Sequence, residues 1–248
     1  MLINHQIKSL CHQGAVRKNN EDAISHSIHE SLGITWMVIA DGMGGHNAGE
    51  VASAILIEQV THGFDNLEAV NEVLWEQWIV EQLTQANLAI LQTAHNNPAQ
   101  QGMGTTGVLA ILVKNLCYIG WIGDSRAYSL KQGVLKQETI DHTMIQELVN
   151  KGAISAETAR NSNTKNLLSQ AIGVQEKISV DTCVISVNND DTIMLSTDGL
   201  HDYLTEQEIT DFLVQEQTNH NICNDMVNKA MLNKSRDNIT VGLISVKS

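Results

Sequence analysis

The chain has 248 residues, enough for one large domain or two small ones with a substantial core. Its apolar share of 42 % excludes a disordered chain, and 15 Lys+Arg against 28 Asp+Glu leave a net charge of −13. That sign argues against a binder of duplex nucleic acid or of anionic membranes, since both need a basic face, and it permits cation binding. The 4 cysteines, Cys11, Cys117, Cys183 and Cys223, show no CxxC spacing, which reads as reduced thiols in a cytoplasmic protein rather than a zinc site or a disulfide frame. The longest apolar runs fall short of the roughly 20 residues of a membrane span, and Met1 to Lys8 carries no export pattern. No repeat or Gly/Ser linker divides the sequence, so one domain over 1–248 is the expectation.

In chain order, Ile34 to Ala40 is almost continuously apolar and stops at Asp41-Gly42, as a buried strand ending at a turn would. Ala48 to His62 has apolar residues at i,i+4 (Val51/Ile55, Ala52/Leu56, Leu56/Val60), which predicts an amphipathic helix. Leu67 to His95 is also helical in pattern and ends before Pro98. At about 1.5 Å per residue it would exceed about 40 Å as one rod, so two helices are an alternative. Thr105 to Val113 and Leu116 to Ile122 flank Lys114-Asn115 at hairpin spacing; Arg126 to Lys131 and Val134 to Gln137 flank Gln132-Gly133 in the same way. Thr143 to Arg160 reads as a helix interrupted at Gly152, and Asn161 to Asn166 as a polar, mobile loop. Further strands are predicted over Ile178 to Val187, Thr192 to Thr197 and Ile239 to Val246. Met103, Met144 and Met231 read as core residues, and Trp75 and Trp78 as packing a helix onto the rest. Closely spaced hairpins with long helices laid across them make an α+β layered domain with antiparallel sheets.

Acidic residues recur at the predicted strand ends: Glu21-Asp22, Asp41-Gly42, Asp124, Asp198-Gly199 and Asp237-Asn238. If folding brings them together, two carboxylates about 5 Å apart repel by roughly 3 kcal/mol at an effective dielectric near 20. Three or more in one cleft must be protonated or held by cations. No lysine lies in the Asp41, Asp198 or Asp237 segments, and an all-oxygen donor set suits Mg²⁺ or Mn²⁺ better than zinc. An aspartate bridging two such ions about 4 Å apart would clamp a water and make it hydroxide-like at neutral pH, which is machinery for hydrolysing a phosphate ester. Arg17 is the candidate for the substrate phosphate, because a guanidinium fork matches two phosphate oxygens. Asp124 has the simpler alternative of capping a turn or pairing with Arg126. The glycines from Gly42 to Gly49 do not make a nucleotide loop: the third glycine of GxGxxG would fall at Asn47, and no Gly-Lys-Ser/Thr follows.

The segments Arg17 to Asp22, Asp41 to His46, Gly104-Thr105-Thr106, Gly120 to Arg126, Ser196 to Leu200 and Arg236-Asp237-Asn238 resemble, in order, the motifs of the metal-dependent, type-2C serine/threonine protein phosphatases, the bacterial branch most of all. The resemblance runs from about residue 12 to residue 245. It implies two antiparallel sheets in a β-sandwich flanked on both faces by helix pairs, with the metals in a cleft at one end. It implies that Asp41 bridges two Mn²⁺ or Mg²⁺ ions, that the Gly42 carbonyl binds one of them, and that Asp198 and Asp237 ligate the other. Glu21 and Asp22 would act through metal-bound waters, and a third, weaker ion would use Asp124 with Asp198. The segment from about Asp141 to Gly173 resembles the flap beside the cleft. At Met43 the sequence departs from the eukaryotic pattern, whose histidine there is the proposed general acid; His46 is the nearest substitute, and a metal-bound water is the alternative. The implied partners are phosphorylated proteins, a serine/threonine kinase among them, with monomer as the default state. A non-catalytic phosphoprotein-binding module on the same fold is the competing function, favoured only if metal ligands were missing.

Overall fold

A computed structural model of the chain describes residues 4–44, 48–67, 73–155, 158–159, 167–216 and 218–247. Two sheets, antiparallel at every strand pairing, face each other. One has the order β1 (Asn4–His12), β11 (Ile239–Lys247), β10 (Thr192–Ser196), β7 (Arg126–Lys131), β8 (Val134–Gln137). The other runs β2 (Asp22–His29), β3 (Ile34–Met43), β5 (Gly107–Val113), β6 (Leu116–Ile122), β9 (Asp181–Ser186), with the short β4 (Gly104–Thr105) paired to the end of β3.

The layering explains why β3 and β11 are buried along nearly their whole length. In β3, Met37 and Ile39 face the space between the sheets, while Trp36, Val38 and Ala40 face outward under helices α1 (Gly49–Asp65) and α2 (Trp75–Asn96). In β11, Ile244 and Val246 enter the inter-sheet core, while Ile239, Val241 and Leu243 meet helices α5 (Glu206–Val214) and α6 (Ile222–Leu232). Both faces of each strand are covered, so β3 reads as a nearly continuous apolar run and β11 buries even Thr240 and Ser245. The result is the four-layer α+β sandwich with a helix pair on each outer face. Each fully buried aliphatic side chain in it, such as Leu56, Ile79 or Leu83, contributes about 1.5–3 kcal/mol by leaving water.

Most predicted elements stand where the pattern put them. The Gln132-Gly133 turn has positive φ at both residues, 50° and 78°, the backbone that lets two residues join twisted antiparallel strands. The α1 helix runs three residues beyond His62, to Asp65. Of the Leu67 to His95 prediction, Trp75–Asn96 is one helix and 68–72 lie outside the described residues. The helical stretch predicted over Thr143 to Arg160 is interrupted at Gly152 as expected, and 158–159 beyond the break are helical again. Before the break lies α3 (Met144–Asn150), and Gly152 at φ 69° closes it as a left-handed C-terminal residue does. The 161–166 loop lies outside the described residues. The strand predicted from Ile178 begins only at Asp181. Trp75 is buried beside Phe64 and Trp78, and Met103 is buried, but Met144 is 48 % exposed because it opens α3 on the rim of the cleft rather than in the core.

Candidate active site

Strand ends from both sheets converge at one end of the sandwich. Asp22 opens β2 and lies directly opposite Asp41 of β3 in the strand register. Such a pair has its Cβ atoms about 5 Å apart. From the other sheet, Asp198 follows β10 and starts the short helix α4 (Asp198–His201), Asp237 precedes β11, and Asp124 precedes β7. Because β10 lies between β11 and β7, those three ends are neighbours.

Glycines make the junctions close enough. A Cβ on Gly199 would collide with the Asn238 carbonyl oxygen and stand 3.3 Å from Asp237 Cβ, so the Asp198 and Asp237 segments touch. A Cβ on Gly42 would run into the Gly49 carbonyl and stand 2.6 Å from the Glu21 carbonyl oxygen, which itself accepts the Gly42 N–H at 3.0 Å.

Hydroxyl and amide groups orient these carboxylates, and residue-type spacing alone gave them no role. Thr197 Oγ1 and Thr240 Oγ1 donate to Asp22 Oδ2 at 2.9 and 2.7 Å. Around Asp41, the backbone N–H donates to Thr106 Oγ1 at 3.1 Å, while Thr105 Oγ1 and the Thr106 N–H donate to its carbonyl at 3.0 and 2.9 Å. Thr106 Oγ1 lies 2.6 Å from Ser125 Oγ, next to Asp124, and so links two of the acidic segments. Asn238 Oδ1 accepts the Glu21 N–H at 2.9 Å, and its Nδ2 donates to the Gln13 and Asn19 carbonyls at 2.8 and 2.9 Å. The quoted motifs did contain Thr105, Thr106, Ser125, Thr197 and Asn238, though not Thr240; their use as braces became visible only in three dimensions.

Charge is concentrated and out of water. Burial, then the Asp22 and Asp198 charges, hold Asp41 well above the usual carboxylate range. Burial raises Asp22 to about 7, Asp198 to about 6 and Asp124 to about 8, with Asp198 or Asp237 among the neighbouring charges that push further. Glu21 is raised as well, first by burial. Asp198 is among the charges that push Asp41 up, so the two carboxyls crowd one another where two carboxylates repel. Asp22 Oδ1 is buried with no hydrogen-bond partner. Crowded carboxyls with raised pKa values and an unpartnered carboxylate oxygen are what a cation-binding cluster shows before positive charge arrives. Among the described residues, no three acidic, histidine or cysteine groups already surround one point, so a cation would have to draw the carboxylates inward.

Arg17 lies at the rim, half-exposed, with Nη2 donating to Asp237 Oδ2 at 2.8 Å and Nη1 3.7 Å from Glu21 Oε2. Its pKa is raised by that Asp237 bond first. The Arg126 guanidinium hydrogen-bonds Asp141, while its charge still acts on Asp124 and lowers its pKa, so part of the simpler alternative stands. His46 lies outside the described residues, and Met43 packs an apolar thioether beside Gly104. Among the described residues no helix is long and apolar enough to cross a membrane.

The chain matches the protein phosphatase 2C family over residues 12–233. It is 36 % identical over 236 residues to the serine/threonine phosphatase stp of Listeria welshimeri, covering 94 % of this chain and 92 % of that protein. The fold superposes on serine/threonine phosphatase Stp1 from Staphylococcus aureus with a TM-score of 0.90 at 30 % identity, covering 99 % of this chain and 96 % of that one. It also superposes on the catalytic domain of the serine/threonine protein phosphatase PstP in complex with two manganese ions, with a TM-score of 0.85 at 29 % identity over 98 % and 99 % of the two chains.

Proposed function

Since this chain belongs to the protein phosphatase 2C family and is a protein serine/threonine phosphatase, we propose that its acidic cluster hydrolyses phosphoserine and phosphothreonine esters with the help of two divalent cations, Mn²⁺ or Mg²⁺. The observation that carries this reading is the meeting of Asp22, Asp41, Asp124, Asp198 and Asp237 in one cluster, with Asp22 and Asp124 buried, the other three partly so and an arginine at its rim. Asp41, whose pKa is raised by the charges of the other four, would hold the ions together with the Gly42 carbonyl, Asp198 and Asp237. Glu21 and Asp22 would reach them through water, and Asp124 with Asp198 would hold a third, weaker ion. Bound there, the cations offset the ester's negative charge and lower the pKa of the attacking water.

The chain's own groups do the rest. Arg17, whose fork already holds a carboxylate, can exchange that anion for two phosphate oxygens. The Thr197 and Thr240 hydroxyls fix the Asp22 carboxylate and the Thr106 hydroxyl holds the Asp41 backbone before substrate arrives, so little reorganisation accompanies charge transfer to the leaving oxygen. Cys11, the thiol beside Asp22, has its pKa raised by burial and is a poor nucleophile, in keeping with direct attack by water and no covalent phosphoenzyme. Following the family resemblance, phosphorylated proteins, a serine/threonine kinase among them, are the partners.

The test is release of phosphate from a phosphothreonine peptide by the purified protein. Turnover should require Mn²⁺ or Mg²⁺ and stop with chelator and in Asp41→Asn. Turnover that persists in chelator, or in Asp41→Asn at the wild-type rate, would overturn the reading.

A further inference from the structure

Beside the acidic cluster runs a groove of about 780 Å³ lined by Asp124, Asp198, Arg126, Tyr128 and Asp141, among others. Arg126 stands two residues after Asp124, and its backbone pairs with Ser196, two residues before Asp198. Its side chain therefore starts where the segments bearing those two carboxylates lie side by side. The guanidinium is committed elsewhere. Nε donates to both Asp141 oxygens at 2.9 and 3.1 Å, Nη2 to Asp141 Oδ2 at 2.6 Å, and Nη1 to Tyr128 Oη at 3.1 Å. Gln137 Nε2 adds a bond to Asp141 Oδ1 at 3.1 Å. Two fixed points hold this fork: the strand pairing behind Arg126 and the phenol beside it. The Asp141 side chain is only 14 % exposed, so water does little to screen it.

Asp141 lines the same groove as Asp124 and Asp198. Without its arginine, Asp141 would be one more anion facing the Asp124–Asp198 corner. We infer that Arg126 is a positioning residue: its fork holds Asp141 as a neutral pair on the groove wall and so keeps that carboxylate from joining Asp124 and Asp198 in gripping a cation. The inference rests on the reading of Asp124 and Asp198 as cation ligands. Lysine would keep the charge without the two-point grip, so the geometry asks for arginine.

Calorimetric titration of the full chain with Mn²⁺ tests this without reading turnover, with circular dichroism to verify folding. A unit charge added or removed at this range shifts the affinity for a divalent ion by about tenfold or more. Asp141→Asn leaves Arg126 unopposed and should weaken the weaker class of Mn²⁺ sites by about tenfold or more. Arg126→Met leaves Asp141 unopposed and should strengthen it by a similar factor, and the double variant should return to within about threefold of wild type. Arg126→Lys should fall between wild type and Arg126→Met. If Arg126→Met does not fold, Asp141→Asn and the double variant decide the matter. Opposite signs in the two single variants are not produced by a merely structural pair. Superimposable titrations, or weakening in both single variants, would overturn the inference while leaving the phosphatase reading intact. A wild-type chain that binds no Mn²⁺ would overturn the cation reading itself.

Discussion

Replacing Asp22 with asparagine should stabilise the metal-free protein while damaging the enzyme. Asp22 is 7 % exposed, with one oxygen satisfied by Thr197 and Thr240 and the other buried without a partner beside Asp41. Its pKa rises from the ordinary 3.8 to about 7, chiefly through burial. An acid with a raised folded-state pKa binds its proton more tightly in the folded chain, so its contribution is intact below about 4 and is lost as pH rises towards 7. The three units between the two values correspond to about 4 kcal/mol of lost stability at pH 8 and under half of that at pH 5. The asparagine would keep an oxygen for the two hydroxyls and turn an amide towards Asp41. In chelator at pH 8, the melting temperature of Asp22→Asn should rise by about 8–16 °C, at about 2–4 °C per kcal/mol for a chain of this size. The gain should shrink by more than half at pH 5, and added Mn²⁺ should raise the melting temperature of wild type more than that of the variant. Thermal unfolding followed by circular dichroism measures all of this. A variant no more stable than wild type in chelator at pH 8, and equally stabilised by Mn²⁺, would refute the argument that Asp22 is a strained, cation-seeking carboxylate.

Asp237→Ala removes a proposed ligand and Arg17's partner together, and its kcat on a phosphothreonine peptide should fall by about a thousandfold, by loss of about 4 kcal/mol of transition-state stabilisation. Arg17→Ala removes a charge-assisted phosphate contact of about 1.5–3 kcal/mol, so KM for the phosphopeptide should rise by about 10–150-fold with a smaller change in kcat. Thr205→Ala breaks the capping box in which the Thr205 hydroxyl accepts the Glu208 N–H at 3.2 Å and Glu208 accepts the Thr205 N–H at 2.9 Å. That should cost about 1 kcal/mol and lower the melting temperature by about 2–4 °C.

The sandwich was legible wherever one segment carried its own instructions. β3, β5 and β6 announce themselves as apolar runs cut by tight turns, because both their faces are buried. β1 and β2 did not: the first reads NHQIKSLCH and the second DAISHSIH, half-buried strands whose polar residues mask any period. Their places depend on partners far away in sequence, as in the pairing of His12 with Ile239. Helix α6 was missed for a related reason, since asparagines and an aspartate interrupt a stripe that only packing on β11 reveals. The acidic residues could be picked out by type and by their position at strand ends, and the structure does bring Asp22, Asp41, Asp124, Asp198 and Asp237 together. Spacing could not show which threonine hydroxyl braces which carboxylate, nor that Arg126 serves Asp141. Those are decided by the register of β7 against β10 and by the way Asp141 returns to the groove.

Anomalous diffraction at the manganese edge, from crystals grown with Mn²⁺, tests the central claim most directly. Two strong peaks about 4 Å apart, with Asp41 between them and Asp198 and Asp237 on one, are the result expected of a two-cation phosphatase centre. Crystals soaked to saturation with Mn²⁺ in which the density lies away from these aspartates would contradict it.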